Sequence, residues 1–129
     1  MPVQCFNHYN LRAQRALLDT LRDFYVTVVG LELGVRPPFP SFGYWLYAGG
    51  RAIVHLTEAP ADEQRPVDGI STFDHVAFLC SDAKAFRERL ASNGIEYTCD
   101  EVPLTGELQL FFKDPAGNGV ELSFPLGDA

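Results

Sequence analysis

Three histidines and one glutamate stand at corresponding points in the two halves of this chain. His8 lies in Phe6-Asn7-His8 and His75 in Phe73-Asp74-His75, while His55 lies in Val54-His55-Leu56 and Glu121 in Val120-Glu121-Leu122. His8 and His55 are 47 positions apart, and His75 and Glu121 are 46. Imidazole nitrogen and carboxylate oxygen are the donors a borderline divalent cation takes, so the chemistry these residues offer is metal binding. A histidine alone in a strand is ordinarily a packed or a surface residue. Here all three histidines of the chain fall at repeat-equivalent places with a glutamate at the fourth, and that joint placement carries the metal reading.

The repeat has support beyond these four. The halves are offset by 67 positions at Phe6/Phe73 and His8/His75, by 64 at Gly30/Gly94 and by 66 at His55/Glu121. A repeat of this size is one supersecondary unit. Two copies predict a single domain over 1–129, with module one at 3–58, a linker at 59–71 and module two at 72–126. Pseudo-twofold symmetry would then bring the ligands of both copies to one ion.

The elements that must position the ligands follow from hydrophobic period and turn chemistry. Residues 3–11 read as a strand. Residues 19–29 read as a helix capped by Asp19, with Leu21, Phe24, Tyr25 and Val28 on one stripe, and Gly30 supplies its left-handed stop. The prolines of Gly34-Val35-Arg36-Pro37-Pro38-Phe39-Pro40 exclude regular structure. Residues 43–48 and 51–57 form a hairpin around Gly49-Gly50. The segment 59–71, rich in Pro, Asp, Glu and Gln, ends the first half. The order then restarts: a strand at 72–79, a helix from Ser81 or Asp82 to Ser92 with Phe86 and Leu90 inward, Gly94 as its stop, a strand at 95–102, and a hairpin of 107–113 with 119–124 around Asp114-Pro115-Ala116-Gly117-Asn118. Each half is βαβββ. The class is α+β, two modules forming a curved, incompletely closed mixed barrel with helices outside.

Side chains alternate along a strand. His55 therefore leaves the face of Val54 and Leu56, and Glu121 that of Val120, Leu122 and Phe124. A tight Gly49-Gly50 turn would set Tyr44 opposite His55, making Tyr44 a wall of any pocket above the metal.

Length and composition bound the rest. A chain of 129 residues makes about one domain with a working core. No stretch is apolar enough to span a membrane, and the N-terminus has no signal pattern, which predicts a cytoplasmic protein. A net charge of −7 without a basic cluster excludes nucleic acid and anionic membranes as partners. Cys5, Cys80 and Cys99 show no metal or disulfide spacing and read as reduced thiols.

At this point the chain resembles the vicinal oxygen chelate superfamily, which includes glyoxalase I, fosfomycin-resistance proteins, bleomycin-resistance proteins and extradiol dioxygenases. Asp19 through Phe24-Tyr25, then Val29-Gly30-Leu31-Glu32, resembles that family's first helix and its exit. Asp114-Pro115-Ala116-Gly117-Asn118-Gly119-Val120-Glu121-Leu122 resembles its closing hairpin. The resemblance implies metal ligands on the first and last strands of each module, the places of His8, His55, His75 and Glu121. Glyoxalase I usually carries Glu or Gln at the place of His55. Fosfomycin-resistance and extradiol enzymes use three ligands, matching His8, His75 and Glu121, and the extradiol enzymes hold a non-ligand acid/base histidine at the place of His55. Phe111-Phe112 occupies the stretch where those enzymes have a tyrosine, which makes Phe111 a candidate substrate contact. Relatives of this length usually form homodimers and often build each site from modules of two chains.

The implied chemistry is bidentate chelation of a small-molecule substrate by a divalent ion (Fe, Ni, Co, Zn or Mn), with Glu121 as the catalytic base. Parity with Glu121 makes His55 a fourth ligand and the activity a glyoxalase-like isomerase or lyase. Were His55 instead a free acid/base, a ring-cleaving dioxygenase would follow. A protein that sequesters an aromatic ligand through its 39–47 segment is the third expectation.

Overall fold

Hydrophobic alternation over Val54–Leu56 and Val120–Phe124 dictates two sheets with one apolar face each, and the computed structural model contains both. It describes residues 2–67 and 70–127. The chain divides into two compact units, Met1–Arg65 and Pro66–Ala129, and each is βαβββ.

The first unit holds β1 (Tyr9–Ala13), α1 (Arg15–Phe24), β2 (Glu32–Gly34), β3 (Gly43–Ala48) and β4 (Arg51–Glu58). Its open sheet runs β1-β4-β3-β2, with β1 parallel to β4 and the other pairs antiparallel. Leu46, Val54 and Leu56 are fully buried, as are Leu18, Leu21 and Tyr25 of the helical segment. The helix starts at Arg15 rather than at Asp19, with Gln14 extended at its N-cap and no side chain capping it. Asp19 is drawn instead to the Tyr44 hydroxyl, which donates to its Oδ1 at 2.6 Å. The α-helix gives way to a π-helical turn over Tyr25–Val29, where both Gly30 N and Leu31 N donate to Tyr25 O. The wider turn brings Val28 and Val29 both into the core. Gly30 ends it at φ 93°.

The start of the expected linker is tied to the first unit. Ala59 N donates to Ala13 O. Glu63 accepts two hydrogen bonds from the Arg12 guanidinium, and Gln14 Nε2 donates to Pro60 O and Glu63 O.

The second unit holds β5 (His75–Leu79), α2 (Ala83–Ser92), β6 (Thr98–Glu101), β7 (Leu108–Lys113) and β8 (Gly119–Phe124). The sheet order is β5-β8-β7-β6, again with one parallel pair at the edge. Asp82 caps α2 by accepting from Ala85 N. Leu90, Leu110, Val120, Leu122 and Phe124 form its core, and Phe86 meets Phe124 edge-on at 5.7 Å. In the β7–β8 turn the buried Asp114 carboxylate accepts from Ala116 N and Asn118 N. Among the described residues no helix is long and apolar enough to cross a membrane.

Candidate metal centre

In the first unit the site is built on a register shift. The Gly49-Gly50 turn is tight, with Ala48 opposite Arg51 and Tyr47 opposite Ala52. A bulge then inserts Ile53, so that Leu46 faces Val54 and Trp45 faces His55. The expected pairing of Tyr44 with His55 is thereby corrected: Tyr44 faces Leu56. A slip of one residue exchanges the faces of a strand. Tyr44 accordingly turns to α1, donating to Asp19 and accepting from Arg22 at 2.8 Å, and Trp45 takes the place beside His55.

His55 is 9% exposed and clamped on both flat sides. Trp45 stacks on it at 4.1 Å and 10°, and His8 at 3.7 Å and 17°. Its Nε2 donates to Ala52 O at 3.1 Å, which leaves Nδ1 as the lone-pair nitrogen. Burial, then the neighbouring His8 and then Arg36 hold its pKa below the ordinary imidazole value, against the Ala52 bond. His55 is therefore a neutral ring near pH 7, the form a metal ligand needs. His8 is exposed and precedes β1 rather than lying within it, since regular pairing starts at Tyr9. Its Nδ1 lies 2.6 Å from Asn7 Oδ1 and donates to it, which directs the Nε2 lone pair outward.

In the second unit His75 opens β5 opposite Gly119, and Glu121 lies between Ala77 and Phe111 on the neighbouring strands. His75 Nε2 is 3.0 Å from Glu121 Oε1. His75 Nδ1 is 2.7 Å from Asp74 Oδ2. Glu121 is only 7% exposed, and its other oxygen accepts from Gln109 Nε2 at 3.2 Å. The Phe111 ring stands edge-on to His75 at 5.7 Å. The hydrogen bond from His75 holds the Asp74 carboxyl below its ordinary pKa, with the charges of His75 and Lys113 adding to this. Asp74 also lines a cleft of about 270 Å³ with Ser71, Phe73, Lys113, Asn118 and Gly119.

The donor chemistry can be tested against an ion. With Nδ1–H given to Asp74, a neutral His75 turns a lone pair toward a carboxylate oxygen 3.0 Å away, so a proton or a cation must lie between them. Two donors at right angles on an ion, each about 2.0–2.2 Å from it, are about 3 Å apart. The His75–Glu121 pair fits. The stacked pair fits only in part: imidazole lone pairs lie in the ring plane, and no single ion lies in the planes of two nearly parallel rings 3.7 Å apart. One ring must turn for both to bind, and the exposed His8 is the one not clamped. Among the described residues no three His, Cys, Asp or Glu side chains stand together so as to hold a metal ion. The structure thus gathers His8 with His55 and His75 with Glu121.

Asn7, Asp74 and Gln109 are contacts that the sequence does not mark as site residues, and it marks Trp45 only as part of the aromatic 39–47 segment. Asn7 and Asp74 were legible in principle, because Phe-Asx-His occurs once in each half and in both the Asx side chain holds the histidine through Nδ1.

Residues 6–122 match the profile of the Glyoxalase/Bleomycin resistance protein/Dioxygenase superfamily. Among solved structures, the chain is similar to a Bacillus anthracis protein described as of the glyoxalase family, at 22% identity and a TM-score of 0.72 over 95% of this chain and 96% of that one. Lactoylglutathione lyase from Agrobacterium tumefaciens is similar at 25% identity and 0.67 over 96% of each chain. The genomically encoded fosfomycin resistance protein of Listeria monocytogenes is similar at 16% and 0.70 over 97% of this chain and 96% of that one. No curated protein matches the sequence significantly.

Proposed function

Because the chain belongs to the Glyoxalase/Bleomycin resistance protein/Dioxygenase superfamily, we propose that it is a metal-dependent enzyme of glyoxalase-like isomerase or lyase activity. Its substrate is a small molecule with two neighbouring oxygens able to chelate the ion. The observation that carries this reading is the contact of His75 Nε2 with Glu121 Oε1, a pair at ligand spacing that needs a proton or a cation between them, each held from behind by a second side chain.

A divalent ion in this site would supply Lewis acidity toward the two chelating oxygens. The chain's own groups do the remaining work. Glu121 is the base that takes a proton from carbon beside a carbonyl and returns it to the adjacent carbon. Gln109 fixes one of its oxygens, so the other presents in a single direction. Asp74 fixes the tautomer and plane of His75. Phe111 covers the flank of His75, and its position opposite Glu121 makes it a substrate contact. His8 is a further ligand through Nε2, and His55 a fourth through Nδ1 once His8 turns out of the stack.

A second reading has one observation in its favour. The Ala52 bond and the Trp45 clamp hold His55 as a buried neutral ring, which suits an acid/base that never binds the ion, as in an extradiol-type dioxygenase. Metal titration into the His55→Ala, His75→Ala and Glu121→Ala variants separates the two. Binding weakened in all three, with lactoylglutathione formed by the wild type from glutathione and methylglyoxal, supports the isomerase. Full metal binding in His55→Ala with oxygen uptake on catechol by the wild type supports the dioxygenase. Unchanged binding in both His75→Ala and Glu121→Ala refutes the metal centre itself.

The chain is further proposed to act as a homodimer, His8 and His55 of one protomer serving the same ion as His75 and Glu121 of its partner. Edge strands β1, β2, β5 and β6 each leave one side of their backbone without a strand partner within their sheets, and such edges favour pairing. A monomer at micromolar concentration in sedimentation would overturn this.

A further inference from the structure

One cation of this acidic chain keeps a buried donor without an acceptor. Arg36 lies in the proline-rich loop between β2 and β3, which is pinned at one end by the Tyr47 hydroxyl donating to Val35 O. Its guanidinium donates to Ser41 O at 2.8 Å and to Ser41 Oγ at 3.1 Å, and lies 4.9 Å from the centre of the Phe39 ring. Those contacts fix the plane of the group without neutralising it. Arg12, Arg15, Arg22 and Arg65 each face a carboxylate. Arg36 has no carboxylate partner among the described residues, and its Nε–H is buried with no acceptor.

Position matters as much as pairing. Gly43 shares the strand face of Trp45, and a Cβ there would come within 3.0 Å of the Arg36 Cζ and Nε. The missing side chain is what lets the guanidinium lie against β3 on this face. Phe39 leans on Trp45 at 6.1 Å and Trp45 stacks on His55, so the loop carries an aromatic wall that leads to the candidate ligand. A planar, charged group whose Nη1 and Nη2 each give one N–H to Ser41 and keep one unused, held rigidly beside aromatic rings, is suited to a planar carboxylate. The prolines at 37, 38 and 40 restrict the loop before any ligand arrives, which lowers the ordering cost of binding.

We propose that Arg36, with Phe39 and Trp45, forms a subsite for a planar carboxylate on the His55 face, so that the substrate of this protein carries an anionic group. The inference rests on the reading of that face as the substrate side, and its test is independent of the metal. Trp45 is the single tryptophan of the chain and reports this face alone. Metal-free protein in excess chelator is titrated with benzoate and, separately, with its neutral isostere benzamide, and Trp45 emission is followed to concentrations well above a millimolar dissociation constant. Benzoate is expected to change the emission saturably and benzamide at least tenfold more weakly. Arg36→Gln should raise the benzoate dissociation constant by roughly tenfold or more, the loss of a charge-assisted hydrogen bond, and Arg36→Lys should fall between. Equal binding of benzoate and benzamide, unchanged benzoate binding in Arg36→Gln, or no saturation by benzoate in the wild type would each overturn the proposal. The wild-type comparison of the two probes stands even if the glutamine variant folds poorly. A failure here leaves metal binding by His75 and Glu121 untouched, and a failure of metal binding leaves this titration readable.

Discussion

Replacing Gly119 by alanine should weaken the proposed metal centre without touching a proposed ligand. A Cβ built on Gly119 would lie 2.3 Å from the backbone oxygen of Asp74 and 2.9 Å from the Cβ of His75. Real Cβ atoms essentially never approach closer than 3.0 Å, so the two strands must part by at least about 0.7 Å at this point. The obstructing atoms are backbone and the root of the His75 side chain, not the far end of a flexible side chain. Overpacking of this kind costs about 1–3 kcal/mol, which for a chain of this length lowers the melting temperature by roughly 3–12 °C. The displaced residues are Asp74 and His75, so the 3.0 Å approach of His75 to Glu121 across the strands is disturbed. Disturbance of such outer contacts weakens metal binding about 10–100-fold. Calorimetric titration of metal into folded Gly119→Ala at a temperature well below its melting point, beside a thermal melt, measures both effects. Wild-type affinity in the variant would refute the claim that this close strand approach sets His75 on the ion.

Two other outcomes follow from the same contacts. Asp74→Ala should weaken metal binding about 10–100-fold by freeing the His75 ring, whereas Asp74→Asn should keep most of it because its Oδ1 still accepts from Nδ1, as Asn7 does for His8; equal losses in the two variants, read by metal titration, would count against an orienting role. The Arg12 and Arg65 hydrogen bonds hold the Glu63 carboxyl down to about 2 from an ordinary 4.5, so the clamp on the end of unit one stabilises above pH 4.5 and is lost as pH falls toward 2; the gap in melting temperature between wild type and Glu63→Gln should shrink over that window, and a gap independent of pH would show that the ion pairs contribute nothing.

Several parts of this molecule are written in its local pattern. Alternation at Val54/Leu56 and Val120/Leu122/Phe124 assigns one apolar face to β4 and β8, and the opposite parity of His55 and Glu121 follows at once. The Asp114–Asn118 turn and the glycine stops at Gly30 and Gly94 are equally local, because they depend on a side-chain acceptor or on a positive φ. The start of α1 was not legible: Asp19 has the chemistry of a cap, and only the packed structure offers it the Tyr44 hydroxyl.

The sequence by itself determined the repeat, the two βαβββ units and the pairing of donor types, His8 with His55 and His75 with Glu121, since equal spacing in equal folds carries equal side chains to equal places. Only the tertiary structure decided which aromatic ring meets His55. Ile53 and Val54 are both apolar, so the pattern reads the same with or without a bulge between them, yet the one-residue shift exchanges the faces of β3 relative to β4, sending Tyr44 to α1 and Trp45 to the site. It likewise decided which nitrogen of each histidine is free, because that depends on whether the nearest acceptor is a preceding Asx side chain, as for His8 and His75, or a carbonyl three residues back, as for His55.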